Sequence, residues 1–189
     1  ANGVIKKAGT AGNIIPDFAE IEFSLRTETL QELHDLIGKI ETCVHAASKV
    51  TETRTDIRCS PLYAERYSNI VMDRLFEKNM IAIGENPEWP DPKKLYGSSD
   101  AGNVSIEVPT IHEYIAIAPE GTPSHSKQMA VFASSARGDE VCIKGAQAMA
   151  LTAWDLFSDH KSQNDAKMYF NQQIPAVYHD GRHKRVCYK

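Results

Sequence analysis

The sequence is poor in features that mark several protein classes. Its four cysteines are widely separated and form no Cys-x-x-Cys pair, which argues against a zinc knuckle or a disulfide framework. No apolar run approaches the roughly 20 residues that span a bilayer, and no signal peptide is visible. The net charge of -4 offers no electrostatic attraction to nucleic acid or an acidic membrane. We therefore expect a cytoplasmic protein with reduced thiols, and neither nucleic acid nor a membrane as its partner.

The N-terminal third has the pattern of a strand, a capped helix and a second strand. Apolar and polar residues alternate from Ala19 to Arg26, which predicts a strand with one buried face. Thr29 and Glu32 form a capping box, and the apolar residues that follow recur at three- and four-residue steps, as in a helix. Residues 53–59 predict another strand. This order is half of a ferredoxin-like α+β sandwich, which cannot cover both faces of its sheet alone.

The longer second part mixes helical segments with one apolar run. It predicts three elements: a helix at 69–83 capped by Ser68, a buried strand at 111–118, and a helix at 139–157. Three prolines between residues 87 and 92 exclude regular structure there. The polar segment after Ser158 is expected to wrap the domain or to fray.

Two polar turns hold the residues best suited to bind a ligand. The turns lie at 97–105 and 119–124, and the second presents His125. Small residues with free N–H groups beside a histidine suit an anionic or carbonyl ligand. The alternative is a surface loop with a surface histidine. His179 and His183 have the i, i+4 spacing of two metal ligands on a helix, but their surroundings are polar and rich in glycine.

Three motifs in a fixed order resemble a known family. Asn13 opens an Asn-Ile-Ile-Pro motif and is followed thirteen positions later by Arg26. Gly97–Ser105 reads Gly-Ser-Ser-Asp-Ala-Gly-Asn-Val-Ser, and His125 with Gln128 precedes a small-residue helix. Together they resemble the two-zinc amidohydrolases and metallopeptidases, which include aminoacylase, carboxypeptidase G and aminobenzoyl-glutamate hydrolases.

The resemblance implies a two-part α/β architecture. The chain would be the C-terminal part of a zinc-aminopeptidase-like α/β catalytic domain, preceded by half of a ferredoxin-like α+β lid domain. Residues 1–60 would belong to the lid and dimerisation domain, residues 61–165 to the catalytic domain, and residues 166–189 to a polar tail. In this family the lid usually pairs two subunits edge to edge, so the resemblance also implies a homodimer.

The resemblance also implies a role for five residues. Asn13 and Arg26 would hold the substrate's carboxylate and the groups around the scissile amide, because a guanidinium matches the two carboxylate oxygens. Ser98 and Ser99 would line the substrate pocket, and His125 would bind a metal ion. Without the resemblance, the favoured interpretation of Arg26 is a solvated ion-pair face with Glu20 and Glu22 rather than a substrate contact, and that of Asn13 is an ordinary turn residue.

Other parts of the family's machinery are absent from these residues. The family uses two divalent metal ions, zinc by resemblance, to activate a water, and a glutamate as general base. The sequence has no His-x-Asp and no Glu-Glu pair. We therefore expect a metal-dependent amidohydrolase or peptidase, acting on N-acyl amino acids or aminobenzoyl-glutamate-like amides, that needs a missing N-terminal segment or a companion chain. This segment alone is expected to be inactive. The alternative is a non-catalytic binding or dimerisation module that kept the fold.

Overall fold

The computed structural model describes residues 1–90 and 97–179. Within them the chain forms two compact units, residues 1–65 and residues 66–179, which are described separately. The first unit is a mixed α/β unit with a small sheet, and the second is helical. No helix in the described ranges is both long enough and apolar enough to cross a membrane.

The sheet of the first unit has two antiparallel strands. Strand β1 (Asn2–Lys7) pairs with strand β2 (Glu20–Ser24), and the register shifts between Ile5 and Lys7. Gly3 lies opposite Phe23, and a Cβ at Gly3 would approach the Phe23 ring to 2.9 Å. A side chain at this position would therefore displace the ring.

The strand predicted from Ala19 to Arg26 is confirmed in its central part as β2. The prediction that one face of this strand is buried is wrong. Ile21 and Phe23, which point to that face, are 54% and 44% exposed. Two strands and one helix lack the apolar surface needed to cover both sides of a sheet. The apolar face of β1 and β2 is therefore uncovered within this unit.

The long helix of the first unit follows the sequence pattern. Helix α1 (Leu30–Thr51) begins with the predicted capping box, in which Thr29 accepts from the Glu32 N–H and Glu32 accepts from the Thr29 N–H. The predicted strand at 53–59 is wrong, because no strand of the described residues pairs with this segment. The chain instead returns to the start of α1, where the Glu65 carboxylate accepts from the Leu30 N–H at 2.8 Å.

The second unit is built on three packed helices. These are α2 (Ile70–Ala82), α5 (Ala136–Ser158) and α6 (His160–Gln173). Three shorter helices complete it: α3 (Ala101–Ser105), α4 (Lys127–Ala133) and α7 (Ala176–His179). Helices α6 and α7 correct the expectation that the segment after Ser158 only wraps or frays. Helix α6 begins at a good cap, because the Asp159 carboxylate accepts from the N–H groups of Lys161 and Ser162.

The core of the second unit lies between α2 and α5. Phe76 and Met80 of α2 pack on Ala148 of α5, and Ile111 and Ile115 pack against the same cluster. The predicted buried strand at 111–118 is wrong in two respects. The segment pairs with no strand of the described residues, and it is only partly buried.

Buried polar side chains tie the helices together. Asn79 of α2 donates to the Thr152 hydroxyl at 3.2 Å and to the Asp155 carboxylate at 3.0 Å, both on α5. Asn69, rather than the predicted Ser68, caps α2 by accepting from the Met72 N–H. The Asn69 amide also donates to a carbonyl of α6 at 2.9 Å, so this cap fixes α2 to α6.

Candidate functional site

In the first unit, Asn13 lies in the loop that precedes β2, and Arg26 follows the opposite end of β2. Asn13 is in the turn between β1 and β2, where the Ile14 N–H donates to the Ala11 carbonyl at 3.2 Å. Arg26 lies just after β2, and both residues are exposed. The two side chains therefore both reach solvent, that of Asn13 from a loop and that of Arg26 from the end of a strand.

The exposed charges of the sheet include one ion pair, which does not involve Arg26. Glu22 pairs with Lys6 at 3.4 Å, across β1 and β2. Among the described residues, the guanidinium of Arg26 makes no hydrogen bond and no ion pair, and the Asn13 side chain makes no hydrogen bond either. Neither side chain is therefore engaged by another residue of the described ranges.

In the second unit, the predicted turn at 97–105 contains the short helix α3. The Ser99 hydroxyl accepts from the Ala101 N–H and donates to the Asp100 carboxylate, both at 3.2 Å. The buried Ser105 hydroxyl accepts from the Tyr67 N–H at 3.0 Å and donates to the Gly102 carbonyl at 2.7 Å. Ser99 and Ser105 thus hold the segment in shape, whereas Ser98 is exposed and makes no hydrogen bond among the described residues.

His125 is held at the start of a helix. The predicted turn at 119–124 is confirmed: Gly121 has a φ of +83°, and the Thr122 N–H donates to the Pro119 carbonyl at 3.3 Å. The next residue after His125, Ser126, caps α4 by accepting from the Met129 N–H at 3.1 Å. The imidazole is exposed and makes no hydrogen bond within the described ranges.

An open cavity of about 480 Å³ lies beside the turn that leads to His125. Pro119 and Phe132 supply apolar lining, and Arg137 is among the lining residues. Glu85 and Glu140 both bind the Arg137 guanidinium, at 3.4 and 3.3 Å, and their hydrogen bonds raise the pKa of Arg137. The charge of Arg137 is therefore balanced by two carboxylates, whereas Arg26 has no such partner among the described residues.

A cluster of titratable groups that the sequence interpretation missed lies at the start of α2. Burial raises the pKa of Glu113 to about 7, a hydrogen bond and the charge of Asp73 add to the rise, and Arg66 opposes it. Ser68 donates to Asp73 at 2.8 Å, and Arg66 contacts His112 Nδ1 at 3.1 Å. Part of Glu113 still reaches solvent. The only sequence signal was a polar His-Glu pair inside an apolar run.

The structure does not join the candidate residues within either unit. In the first unit no hydrogen bond links Asn13 to Arg26, and in the second none links Ser98 or Ser99 to His125. Across residues 1–90 and 97–179, no three side chains of His, Cys, Asp and Glu lie close enough to hold a metal ion.

Comparison with known proteins decides the family. Residues 4–52 match the peptidase dimerisation domain. The chain is 31% identical over 164 residues to the Xaa-Arg dipeptidase of Mus musculus, and 30% identical over 164 residues to that of Homo sapiens. The chain belongs to the metallopeptidase and amidohydrolase family that carries this dimerisation domain. Each alignment covers 82% of the chain and 36% of the relative, so the chain spans about a third of their length.

The match to the dimerisation domain lies within the first unit. The dimerisation domain is a ferredoxin-like lid, and its match covers β1, β2 and α1. Members of the family are generally metal-dependent. The residues of this chain do not fit a metal pair by themselves, because His125 stands without a second ligand among the described residues, and a closed metal site needs about four.

Proposed function

We propose that the protein to which this chain belongs is a metal-dependent amidohydrolase or peptidase. Its substrates would be N-acyl amino acids or aminobenzoyl-glutamate-like amides, and dipeptides ending in arginine follow from the relatives' name. One observation carries the proposal. The similarity to the dipeptidases extends over 164 residues, which exceeds the length of the second unit (residues 66–179), so it includes residues of both units.

The unpaired Arg26 side chain supports a substrate with a carboxylate. Its five N–H donors are not used within the described residues, and a planar guanidinium binds a carboxylate through two parallel hydrogen bonds. Asn13 would add one donor and one acceptor for the groups around the amide. In the second unit, Ser98 would line the pocket with a hydroxyl that makes no hydrogen bond among the described residues, while Ser99 keeps that loop in shape.

The 189 residues alone are proposed to be inactive. They contain neither His-x-Asp nor Glu-Glu, and His125 has no second metal ligand near it in the described ranges. Two divalent ions, proposed to be zinc, would be held by His125 together with residues of a missing N-terminal segment or a companion chain. The homodimer proposed from the resemblance would form through the lid, whose sheet has an uncovered apolar face.

A non-catalytic dimerisation module is the second candidate. The match of residues 4–52 to a dimerisation domain favours it, because that domain alone needs no chemistry. The two candidates differ in the behaviour of the complete protein. The hydrolase would release an amino acid from its substrate and bind metal, whereas the module would form dimers and do neither.

The test uses the complete protein that carries this chain, loaded with zinc and offered the three substrate classes. We expect amide hydrolysis, and a large loss of kcat/KM for the preferred substrate in Arg26→Ala. Removing a charge-assisted hydrogen bond costs about 1.5–3 kcal/mol, which corresponds to roughly 10- to 100-fold in kcat/KM. Arg58→Ala is the matched control, because Arg58 lies in the same unit and is paired with Asp56 at 2.8 Å. A stable dimer that hydrolyses none of the three classes would support the module instead.

A further inference from the structure

Helix α5 has two apolar faces, and only one of them is covered. The inner face buries Val141, Ala148 and Thr152. The residues of the other face, called here the outer face, recur at steps of three and four positions, which places them on one side of the helix. The outer face consists of Ile143, Ala146, Ala150, Ala153, Trp154 and Phe157, all of which are exposed.

The outer face is not an ordinary solvated helix surface. Ile143, Trp154 and Phe157 are 61%, 70% and 80% exposed, which is unusual for three large apolar residues on one stripe. Between Val141 and Ser158 the helix has only two charged residues. Both serve other contacts, since Lys144 pairs with Glu85 and Asp155 pairs with Lys78 at 3.2 Å. A helix that is apolar all round is typical of a buried element.

We propose that the outer face of α5 is covered by the part of the same subunit that lies outside these 189 residues. This inference rests on the proposed function, in which the subunit is longer than the chain. The relatives are long enough to contain such a part, since the chain covers 36% of each. The three alanines of the outer face let another element approach closely, and the large side chains beside them fill the space between.

A second copy of the chain is the less suitable occupant. The dimerisation domain matches residues 4–52, all in the first unit, so the family's pairing surface is separate from α5. The apolar segment 111–118 strengthens the choice. It packs through Ile111 and Ile115 against the same core as α5 and forms no sheet within the described residues, as expected if further strands come from elsewhere in the subunit.

Hydroxyl-radical footprinting with mass spectrometry tests the proposal side chain by side chain. The complete protein and the 189-residue chain are labelled at the same radical dose, which is set with an added reporter peptide. Phe76 is the internal reference, because it is buried at 7% in α2, whereas Phe157 has the same side chain and is exposed. We expect Phe157 and Trp154 to react readily in the 189-residue chain, and Phe157 to fall to the rate of Phe76 in the complete protein.

Two results would overturn the inference. One is that Phe157 and Trp154 react as readily in the complete protein as in the 189-residue chain. The other is that both are protected in the 189-residue chain and become reactive on dilution, which would assign the face to a second copy. The readout is independent of catalysis: an inactive complete protein with a protected Phe157 would refute the proposed function alone, and an active one with a reactive Phe157 would refute this inference alone.

Discussion

Replacing Gly138 of α5 with alanine should destabilise the protein, whereas the same replacement at Gly145, in the same helix, should leave the stability unchanged or raise it. A Cβ at Gly138 would lie 2.5 Å from the Ala133 carbonyl oxygen and 2.8 Å from that of Phe132, both in the main chain. A Cβ at Gly145 would meet the Cδ1 atom of Ile115 at 3.2 Å. A side-chain end can rotate away, whereas a backbone oxygen at the junction of α4 and α5 can move only with the backbone.

The magnitudes follow from two opposing terms. Alanine is favoured over glycine by up to about 1 kcal/mol inside a helix. Forcing an extra carbon into a packed site costs about 1–3 kcal/mol, and the backbone contact places Gly138→Ala in the upper part of this range. We therefore expect Gly138→Ala to lower the free energy of unfolding by about 1–2 kcal/mol, and Gly145→Ala to change it by between zero and about 1 kcal/mol in the stabilising direction.

Urea unfolding followed by tryptophan fluorescence measures the difference directly. The chain has two tryptophans, Trp89 and Trp154, and both lie in the second unit with the two glycines. With an m-value of roughly 2 kcal/mol per molar urea, the two midpoints should differ by about 1 M. If Gly138→Ala proves as stable as Gly145→Ala, the close approach at the α4–α5 junction does not constrain this unit, and the steric reasoning is wrong.

Three further predictions concern other parts of the chain. A Cβ added at Gly38 in α1 would have no atom within 4 Å, so Gly38→Ala should stabilise the first unit by about 1 kcal/mol and raise its melting temperature. A melting temperature below that of the unchanged protein would contradict the open site. The folded-state pKa of Glu113 is raised from 4.5 to about 7, so its contribution to the second unit's stability is present below pH 4.5 and lost as the pH rises through 7. Urea midpoints should therefore fall over this interval, and Glu113→Gln should flatten the fall; an unchanged slope would exclude Glu113 as the cause. In the complete protein, His125→Ala should lower the metal content measured by inductively coupled plasma mass spectrometry, whereas His45→Ala, on the exposed side of α1, should not; equal metal contents would remove His125 from the ligand set.

The helices were predictable because their signals are local. The capping box at Thr29 and Glu32 and the apolar stripe of α1 are confirmed almost to the residue. Helix α5 starts three residues earlier than predicted, because the Ser135 hydroxyl accepts from the Gly138 N–H and caps it there. Such caps lie within a few residues of sequence, so pattern and propensity suffice to find them.

The strands were harder to predict because a strand needs a partner from elsewhere in the chain. The sequences at 53–59 and 111–118 look like strands, yet neither segment pairs with a strand of the described residues. Helix α6 was not predicted because its sequence is mostly polar. It is held by contacts remote in sequence, such as the bond from Asn69 to the Ala166 carbonyl.

The candidate site was accessible to motif reasoning but not to local patterns. Asn13, Arg26 and His125 were singled out by a resemblance in order and spacing, and their roles stay predictions. The carboxyl pair of Asp73 and Glu113 left almost no trace in the sequence. Its members are 40 positions apart and meet only because the segment after residue 110 packs beside the start of α2.

The amide of Asn79 determines how α2 and α5 are aligned along their length. The apolar contact of Phe76 and Met80 with Ala148 would tolerate several axial positions, because apolar packing has little directionality. Sliding α2 by one turn, about 5.4 Å, would separate the Asn79 amide from both Thr152 and Asp155 and leave it buried without acceptors. An unsatisfied buried amide costs about 1–3 kcal/mol. The pair of hydrogen bonds therefore selects a single axial alignment of the two helices from the many that hydrophobic contact alone would permit.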